Sequence, residues 1–342
     1  MTTSAWWSPE SFARRRVFLE ARSRVLGATR AVFAARGFVE VETPVLQKSP
    51  GLDPHLQAFA TMLAAPGEAS QPYFLHTSPE YAMKKLLVAG MPRIYQLAHC
   101  FRNAERGAAH SPEFSMLEWY RAGASYLDLV ADCEALLRAA GARLFTWRGR
   151  VCDPHEAWER LSVAEAFARF CGIDILATAP DPAAPSLDLL AAAARPLGIA
   201  PHAGDHWEDL FFRVFLAAIE PRLGIGAPTV LYDYPIAMAA LARAKPGDMR
   251  LCERFELYCC GLELANAFGE LTDAAEQRQR FMADQAKKRA LYGEAYPVDE
   301  DFLAALERGL PESAGIALGF DRLVMLAAGA NHIDEVLWAP VG

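Results

Sequence analysis

The amino-acid sequence predicts a protein of the α+β class. Residues 12–36 carry apolar side chains at seven-residue spacing with arginines between them, which is typical of a helix. Residues 114–120 alternate with a period of two and therefore predict a strand. Residues 253–270 alternate on both sides of Cys260-Gly261, a pattern that predicts a hairpin with a tight turn. Helices and hairpin-connected strands in one chain are the combination that defines the class.

The composition and charge exclude several kinds of protein. The chain has 342 residues, of which 53% are hydrophobic and 22% are charged, so it is not a disordered protein. No uncharged stretch is long enough for a membrane helix. The net charge of −8 argues against a protein that binds nucleic acids, because such proteins usually present a basic surface.

The cysteines and the N-terminus indicate the compartment. None of the seven cysteines has the CxxC or Cys/His spacing of a zinc site, so we expect reduced thiols. Residues 1–9 lack the apolar core of a secretion signal and run directly into charged residues. The sequence therefore predicts a cytoplasmic protein.

The first predicted helix leads directly into a short strand. Gly37 ends the helix, and residues 38–42 favour a strand. Thr43-Pro44 must be extended, because the residue before a proline avoids the helical region. This unit is either ordinary core packing beside an edge strand or, given the many arginines of the helix, a dimer surface.

A second helix is predicted over residues 77–90. The segment Thr77-Ser78-Pro79-Glu80 signals its beginning, and Gly90 signals its end. The simplest interpretation of Glu80 is a capping carboxylate that accepts hydrogen bonds from backbone N–H groups.

Two neighbouring strands, 93–102 and 114–120, surround a buried charge. Along the second strand, one face carries Phe114, Met116, Glu118 and Tyr120, and the other carries Leu117 and Trp119. Because both faces are apolar, Glu118 lies in a covered place, where an ion costs several kcal/mol unless it has a partner. Glu118 is therefore part of a structural salt bridge or of a site that binds a cation.

The hairpin predicted at Cys260-Gly261 brings two carboxylates together. The turn places Tyr258 opposite Glu263, with Glu256 on the same face. Two carboxylates on one face repel each other unless a divalent cation with oxygen ligands lies between them.

The rest of this hairpin carries further polar residues. Asn266, Phe268 and Glu270 share a parity with one another but not with Glu263. If all of them line one pocket, the strand must bulge or twist between residues 263 and 266.

Residues 315–322 predict a strand of small residues that runs into a helix. Small residues allow a ligand to approach the backbone closely. Arg322 in the first helical turn opposes the helix dipole, and an anion such as a triphosphate explains it better. No GxxxxGK[ST] or GxGxxG is present, which excludes a P-loop and gives no Rossmann fingerprint.

The middle of the chain is predicted to be an insertion. Residues 172–206 are rich in alanine and proline and predict a loop that leads into short helices. Because candidate site residues occur on both sides, we predict a single catalytic domain, 1–342, with a helical, Ala/Pro-rich insertion at about 150–250.

Together these segments resemble the class II aminoacyl-tRNA synthetase catalytic core. Residues 37–44 are similar to its motif 1, and residues 315–322 are similar to its motif 3. Phe101-Arg102-Asn103, followed by Pro112-Glu113-Phe114 and Glu118, is similar to motif 2. The resemblance implies a six-stranded antiparallel sheet plus the strand of motif 1, flanked by helices, and a homodimer built on motif 1.

Within that class, residues 77–80, 116–120 and 261–273 resemble the lysyl enzymes. Motif 1 lies within the first forty-odd residues, which leaves no room for the anticodon-binding barrel of a lysyl-tRNA synthetase. This shortness, with residues 118–121 and Ala317, resembles the truncated EpmA family, also called PoxA or GenX. Its members are elongation factor P lysine ligases, which activate a lysine, typically (R)-β-lysine, with ATP and join it to a lysine side chain of elongation factor P.

The resemblance implies ATP and Mg²⁺ as cofactors. Arg102 would grip the α-phosphate, and Arg322 would hold the γ-phosphate end. Glu256 and Glu263 would hold Mg²⁺, and Phe114 would stack on adenine. The remaining implied ATP contacts are Asn103, Ala104, Ser111, Leu257 and Gly319.

The resemblance also implies the site of the amino acid. The residues that would surround lysine are Ser78, Pro79, Glu80, Glu118, Tyr120, Glu263, Asn266, Glu270 and Ala317. Charge-assisted hydrogen bonds would hold its ammonium groups. Ala317 replaces the glycine of ordinary lysyl-tRNA synthetases, and its methyl group, worth about 1–3 kcal/mol of discrimination, would favour a β-amino acid.

Two positions depart from the family pattern. Motif 2 usually reads Arg-Asn-Glu, whereas here Ala104 follows Asn103 and Glu105 comes next. Either Glu105 shifts in or backbone groups alone recognise adenine. The residue before Pro-Glu-Phe, often Asn, is Ser111.

Three functions are compared. The leading hypothesis is the protein-lysine ligase. A stand-alone enzyme that aminoacylates tRNA or another carrier is disfavoured by the net charge and by the absence of an anticodon domain. A non-catalytic lysine- or ATP-binding paralogue need not keep the catalytic set of residues, which consists of Arg102, Glu256, Glu263 and Arg322.

Overall fold

The structure is a computed structural model that describes residues 5–64 and 66–341. Residues 1–4, 65 and 342, which belong to the predicted domain and in part to the N-terminus discussed above, lie outside the described residues. The α-helices of the described part are α1 (Pro9–Ala35), α2 (Glu80–Val88), α3 (Leu129–Ala139), α4 (Val163–Cys171), α5 (Leu187–Ala194), α6 (Trp207–Ala218), α7 (Ala274–Tyr292), α8 (Glu300–Gly309) and α9 (Phe320–Ala328). None of these described helices is both long enough and apolar enough to cross a membrane.

The strands within residues 5–64 and 66–341 form three sheets. They are β1 (Val39–Glu40), β2 (Leu46–Gln47), β3 (Ala60–Leu63), β4 (Gln71–Leu75), β5 (Arg93–Phe101), β6 (Glu113–Ala122), β7 (Phe145–Trp147), β8 (Arg150–Cys152), β9 (Glu159–Ser162), β10 (Thr229–Pro235), β11 (Leu251–Cys259), β12 (Leu262–Gly269) and β13 (Ser313–Gly319). The largest sheet has the order β1-β5-β6-β13-β12-β11-β10-β9, beside a three-stranded sheet β2-β4-β3 and the pair β7-β8.

The large sheet confirms the predicted fold class. Its strands from β5 to β10 are antiparallel to one another, whereas β1 pairs with β5 and β9 pairs with β10 in parallel. The antiparallel strands and the parallel strand of motif 1 match the sheet that the resemblance implied. The parallel strand β9 extends the sheet at its other edge.

Helix α1 confirms the first predicted helix and packs against the sheet through its apolar positions. Phe33 is fully buried and stacks on Tyr95 of β5, with 4.3 Å between the ring centroids. Gly37 follows the helix with a φ of +72°, a conformation that favours glycine. The strand predicted at 38–42 is shorter in the structure, where β1 contains only Val39–Glu40.

The hairpin β11–β12 confirms the predicted tight turn. Cys260 and Gly261 have φ values of +57° and +69°, and a two-residue turn of this left-handed kind matches the twist of the two strands. Tyr258 pairs with Glu263, as the sequence predicts.

The β12 strand contains the bulge that a common pocket requires. Tyr258 pairs with Glu263, but the preceding residue, Leu257, pairs with Ala265. Leu264 is therefore the extra residue of a bulge, which shifts the parity of the strand by one. Because of this shift, Glu263 lies on the same face of the sheet as Asn266 and Phe268.

The stretch 150–250 contains strands as well as helices. The strands β9 and β10 are part of the large sheet. Helices α4, α5 and α6 pack beside them in a second apolar core that includes Phe167, Phe211 and Phe215. The predicted loop 172–206 contains α5 and short 3-10 turns. The helical part of this stretch therefore runs from α4 to α6.

Candidate active site

One face of the large sheet carries the candidate residues in two adjacent rows. The first row, across four strands, consists of Glu118, Ala317, Asn266 and Glu256. The second row consists of Tyr120, Gly315, Phe268 and Arg254. Residues that pair directly across a sheet point to the same side, so residues distant in the sequence converge on one face.

A cavity of about 530 Å³ opens over these rows. We call it the acidic cavity, because Glu80, Glu118 and Glu270 line it. Glu118 is 1% exposed and accepts hydrogen bonds from Ser78 Oγ at 2.5 Å and from Tyr120 OH at 2.9 Å. Burial, and then the charge of Glu80, raise the pKa of Glu118 to about 8. In the described part of the chain, Glu118 forms no salt bridge. The prediction that Glu118 belongs to a structural salt bridge is therefore wrong.

A buried lysine lies between the other two carboxylates. The Nζ atom of Lys84 is 2.5 Å from Glu80 Oε1 and 2.5 Å from Glu270 Oε2. Burial raises the pKa of Glu270 to about 7, although the charge of Lys84 opposes this shift. The capping interpretation of Glu80 is wrong, because its carboxylate contacts Lys84 and helix α2 has no side-chain cap.

The wall of the acidic cavity requires a glycine at position 315. A Cβ atom on Gly315 would collide with the ring of Tyr120 and with the Glu270 carboxylate. Two residues later on β13, Ala317 lines the cavity with its methyl group. The small residues predicted in this strand thus allow side chains from neighbouring strands to close over it.

A second cavity, of about 330 Å³, adjoins the first. We call it the arginine cavity, because Arg102 and Arg322 line it together with Phe114. Arg322 donates from Nη1 to the carbonyl of Glu263 at 2.8 Å, and its Nη2 is 2.7 Å from His110 Nε2. Burial, and then the charge of Arg322, lower the pKa of His110, so the neutral imidazole can accept this hydrogen bond.

The two cavities meet at Arg102. The residues that line both are Asp53, Leu56, Arg102, Met116, Asn266 and Ala317. The Nε atom of Arg102 and the Oδ1 atom of Asn266 are buried without a hydrogen-bond partner among the described residues. Buried polar atoms normally have partners, so this junction suits a polar ligand that extends from one cavity into the other.

Two carboxylates flank the arginine cavity at the hairpin. Glu256 accepts hydrogen bonds from Arg254 at 2.5 Å and from the hydroxyl of Tyr258. Burial, and then the charge of Glu256, raise the pKa of Glu263 to about 7. Glu263 forms no ion pair in the described part of the chain. A hard cation with oxygen ligands fits beside these carboxylates, because it would relieve their repulsion.

A buried ion pair supports the helix that carries Arg322. Asp321 pairs with Arg22 of α1, and its Oδ2 accepts a hydrogen bond from the Ser115 N–H at 2.7 Å. Arg22 also donates to Ser115 Oγ at 2.7 Å. These contacts tie α1, β6 and the start of α9 together behind the arginine cavity.

Most of the sequence-predicted residues line one of the two cavities. Those that line neither are Pro79, Asn103, Ala104, Glu256 and Leu257. Pro79 occupies the N-cap of α2, and Leu257 is fully buried. Asn103 donates its N–H to the carbonyl of Gln57 at 2.7 Å.

The two residues that depart from the motif 2 pattern, Ala104 and Ser111, lie in different places relative to the cavities. Ala104 has a φ of +62° and lies outside the cavities, whereas Glu105 lines the arginine cavity. Ser111 and Gly319 also line the arginine cavity. This geometry favours Glu105, rather than Ala104, as a side chain that reaches the ligand.

Charged or titratable residues of the site that were not predicted from the sequence include Lys84, Arg254 and His110. Lys84 follows Glu80 by four residues, a spacing that brings opposite charges together on a helix and could have indicated the ion pair. His110 offers no comparable signal, because its contact with Arg322 joins residues that are 212 positions apart.

The comparisons with known proteins agree with this architecture. Residues 12–341 match the family described as tRNA synthetases class II (D, K and N), and the chain belongs to this family. The chain is also similar over nearly its whole length to proteins named elongation factor P–(R)-β-lysine ligase. It is 41% identical to the one from Sodalis glossinidius, with 98% of each chain covered. It is 41% identical to the one from Proteus mirabilis and 40% identical to the one from Vibrio cholerae, with 99% or more of the present chain and 99% of each relative covered. The predicted resemblance is confirmed.

Proposed function

We propose that this protein activates lysine, with (R)-β-lysine as the preferred form, and joins it to a lysine side chain of translation elongation factor P. The observation that carries the proposal is the meeting of the acidic cavity and the arginine cavity at Arg102. The first cavity suits ammonium groups and the second suits phosphates. The names of the relatives supply the identity of the acceptor.

The first step forms an aminoacyl-adenylate. An oxygen of the lysine carboxylate attacks the α-phosphorus of ATP, a new P–O bond forms, and pyrophosphate leaves. Arg102 offsets the charge that develops on the α-phosphate, since its unpartnered Nε lies at the junction. Arg322 binds the γ-phosphate end, and Phe114 stacks on adenine. Ser111, Gly319 and Glu105, which line the arginine cavity, contribute further contacts to the nucleotide. For Asn103, Ala104 and Leu257, which line neither cavity, the resemblance alone supports a contact.

The second step transfers the lysyl group. The neutral side-chain amine of the acceptor lysine attacks the acyl carbon, an amide C–N bond forms, and the C–O bond to AMP breaks. The amine nitrogen loses one proton in the process and keeps the other as the amide N–H. No dedicated base is assigned to this step, and the positioning of the deprotonated amine beside the adenylate drives it.

The acidic cavity binds the lysine substrate. Glu118 and Glu270 bind its ammonium groups by charge-assisted hydrogen bonds. The other residues of this site that line the cavity are Ser78, Glu80, Tyr120 and Asn266. For Pro79, which lines neither cavity, and for Glu263, which lines the arginine cavity, the resemblance alone supports a contact with lysine. The methyl group of Ala317 lies where the two cavities meet and favours the β-amino acid.

Mg²⁺ fits the carboxylates at the hairpin. Glu263 and Glu256 would hold it, because a cation beside them would favour the ionised form of Glu263, whose pKa burial and then the charge of Glu256 raise to about 7. When bound, Mg²⁺ supplies charge neutralisation for the phosphates of ATP.

The protein is proposed to act as a homodimer in the cytoplasm. The helix α1 and the strand β1 would form the dimer interface. This interpretation is supported by β1, which lies at an edge of the large sheet, and by Val39 in it, which is 48% exposed.

The test is the intact mass of elongation factor P after incubation with this protein, ATP, Mg²⁺ and either L-lysine or (R)-β-lysine. We expect a gain of one lysyl unit, faster with (R)-β-lysine. No gain with either amino acid, while lysine-dependent ATP–pyrophosphate exchange continues, would overturn the assignment of the acceptor. Charging of bulk tRNA with lysine in a parallel reaction would favour the aminoacylator instead.

A further inference from the structure

The acidic cavity contains a cation that none of the reaction steps above uses. Lys84 is 1% exposed, and its only charged contacts among the described residues are Glu80 and Glu270. Burial alone would lower the pKa of Lys84, but the two carboxylates outweigh it and raise that pKa. Lys84 is therefore a permanent positive charge in the wall of this cavity.

The position of Lys84 determines where its two partners point. Glu80 lies on α2 and Glu270 directly follows β12, so the ammonium joins two separate elements that both line the cavity. Glu270 is 1% exposed, and a Cβ atom on Gly315 would collide with its Oε1. Without Lys84, the two carboxylates would repel each other and take up protons.

The charges of the cluster around Lys84 match the ammonium groups of the substrate. Glu80, Glu118 and Glu270 are three carboxylates, and Lys84 offsets one of them. Within this cluster of four side chains two negative charges remain, one for each ammonium group of a diamino acid. Other charged residues also line the cavity, and they are Asp53, Glu208, Asp209, Asp284, Arg102, Lys287 and Arg254, of which Arg254 is paired with Glu256.

On the basis of the proposed function, we infer that Lys84 is a positioning residue for the amino acid: it orients Glu80 and Glu270 and sets the net charge of the carboxylate cluster around it to match the two ammonium groups of a diamino acid. The inference assigns to Lys84 a role in substrate selection and not only in joining α2 to β12.

The test compares Lys84→Met with Lys85→Met. Lys85 is the adjacent residue on α2, and it pairs with Asp299 and Asp301 outside the acidic cavity, so its removal is a matched loss of ion pairs. The KM values for lysine and for ATP are measured separately by pyrophosphate exchange across a pH series. In Lys84→Met we expect the KM for lysine at neutral pH to rise at least about tenfold, with the KM for ATP within about twofold. Lys85→Met should leave both values within about twofold of the wild type.

The pH series distinguishes an effect of the positive charge of Lys84 from a purely structural role of this residue in the fold. Glu80, Glu118, Glu270, Tyr120 and Arg243 are the charged or titratable groups that act on one another around Lys84. Because the positive charge of Lys84 lowers the pKa of both Glu118 and Glu270, its loss should shift the midpoint of the lysine KM profile to higher pH. Lys84→Arg keeps the positive charge and should keep the wild-type midpoint of the lysine KM profile. This second variant also provides the measurement if Lys84→Met does not fold.

Three results would overturn the inference. They are an unchanged KM and midpoint in Lys84→Met, an equal rise in the KM for lysine and for ATP, and an upward shift of the midpoint in Lys84→Arg. A wild-type protein that activates no amino acid would instead overturn the proposed function. A wild-type protein that activates lysine beside an unaffected Lys84→Met variant would overturn only the role of Lys84.

Discussion

The acidic cavity and the arginine cavity differ in how their charged groups are satisfied. In the acidic cavity the buried carboxylates have partners from the chain itself: two hydroxyl groups donate to Glu118, and Lys84 contacts Glu80 and Glu270. At the border of the arginine cavity, Arg102 Nε has no partner among the described residues. The acidic cavity is therefore organised before its ligand binds, whereas the arginine cavity is completed by its ligand.

This difference has a physical consequence for recognition. A site whose carboxylates are held by hydrogen bonds and an ion pair selects a ligand by shape and by the number of charges, because reorganisation is costly. A site with an unpartnered guanidinium gains most when negative charge develops next to it. We therefore expect changes in the acidic cavity to alter substrate choice and KM, and changes at Arg102 to alter the rate.

The largest expected effect is that of Arg102→Ala. Removal of the guanidinium should lower ATP–pyrophosphate exchange by about a thousandfold, to background, because Arg102 is the only cation among the described residues that lines both cavities. The exchange assay measures this directly. The matched control is Arg160→Ala, an exposed arginine on β9 at the far edge of the sheet. Exchange retained in Arg102→Ala would contradict the contrast between the two cavities.

The second prediction concerns the support behind the arginine cavity. Asp321→Asn leaves Arg22 as an unpaired buried charge and should lower the free energy of unfolding by about 3–5 kcal/mol. Urea unfolding followed by circular dichroism measures the change. Glu20→Gln breaks an exposed ion pair with Arg16 on the same helix and should cost less than about 1 kcal/mol. Equal stability losses in the two variants would show that the buried pair has no special role.

The third prediction is the pH dependence of lysine binding. Glu118 and Glu270 have pKa values raised to about 8 and about 7, so both are largely protonated in slightly acidic solution. The bound ammonium groups require the ionised forms, so the KM for lysine should fall as the pH rises and level off above the higher pKa. The expected decrease between pH 6 and pH 8 is about tenfold or more. A KM for lysine that stays flat over this range, measured beside the KM for ATP, would show that these carboxyl groups are already ionised.

The smallest expected effect is that of Ala317→Gly. Loss of one methyl group at the border of the cavities should shift the ratio of kcat/KM for L-lysine and (R)-β-lysine towards L-lysine by about 1 kcal/mol, roughly fivefold. Exchange kinetics with each amino acid measure the ratio. Gly315→Ala serves as the contrasting variant, because an added Cβ there collides with Tyr120 and Glu270 and should weaken the binding of both amino acids alike. An unchanged ratio in Ala317→Gly would remove this residue from the specificity of the site.

Much of the fold could be predicted because its signals are local. The alternation around Glu118 places that residue on a covered strand, and the Cys260-Gly261 turn sets Tyr258 opposite Glu263. The strand 38–42 was predicted too long, because its only neighbour in the sheet, β5, pairs with just two of its residues. The strands β9 and β10 were missed within a stretch interpreted as helical, since their pairing with each other and with β11 decides their conformation.

The candidate site could be predicted in its residue types but not in its partners. The sequence indicated that Glu118, Glu256 and Glu263 need cations or donors, because buried carboxylates are costly without them. It could not identify Ser78 and Tyr120 as the donors to Glu118, or Arg254 as the partner of Glu256. Those contacts depend on side-chain positions that follow from the packing of whole elements.

The sequence by itself determined the class of fold and the positions of the motif residues, because a strand repeats every two residues and a helix every 3.6. It predicted a bulge or twist between residues 263 and 266 only on the condition that Glu263 and the residues after it line one pocket. Only the tertiary structure decided that Arg102 lies where two cavities meet, that Lys84 bridges Glu80 and Glu270, and that His110 contacts Arg322. The physical reason is that these contacts join residues far apart in the chain, and the order of strands in the sheet, which no local period encodes, brings them together.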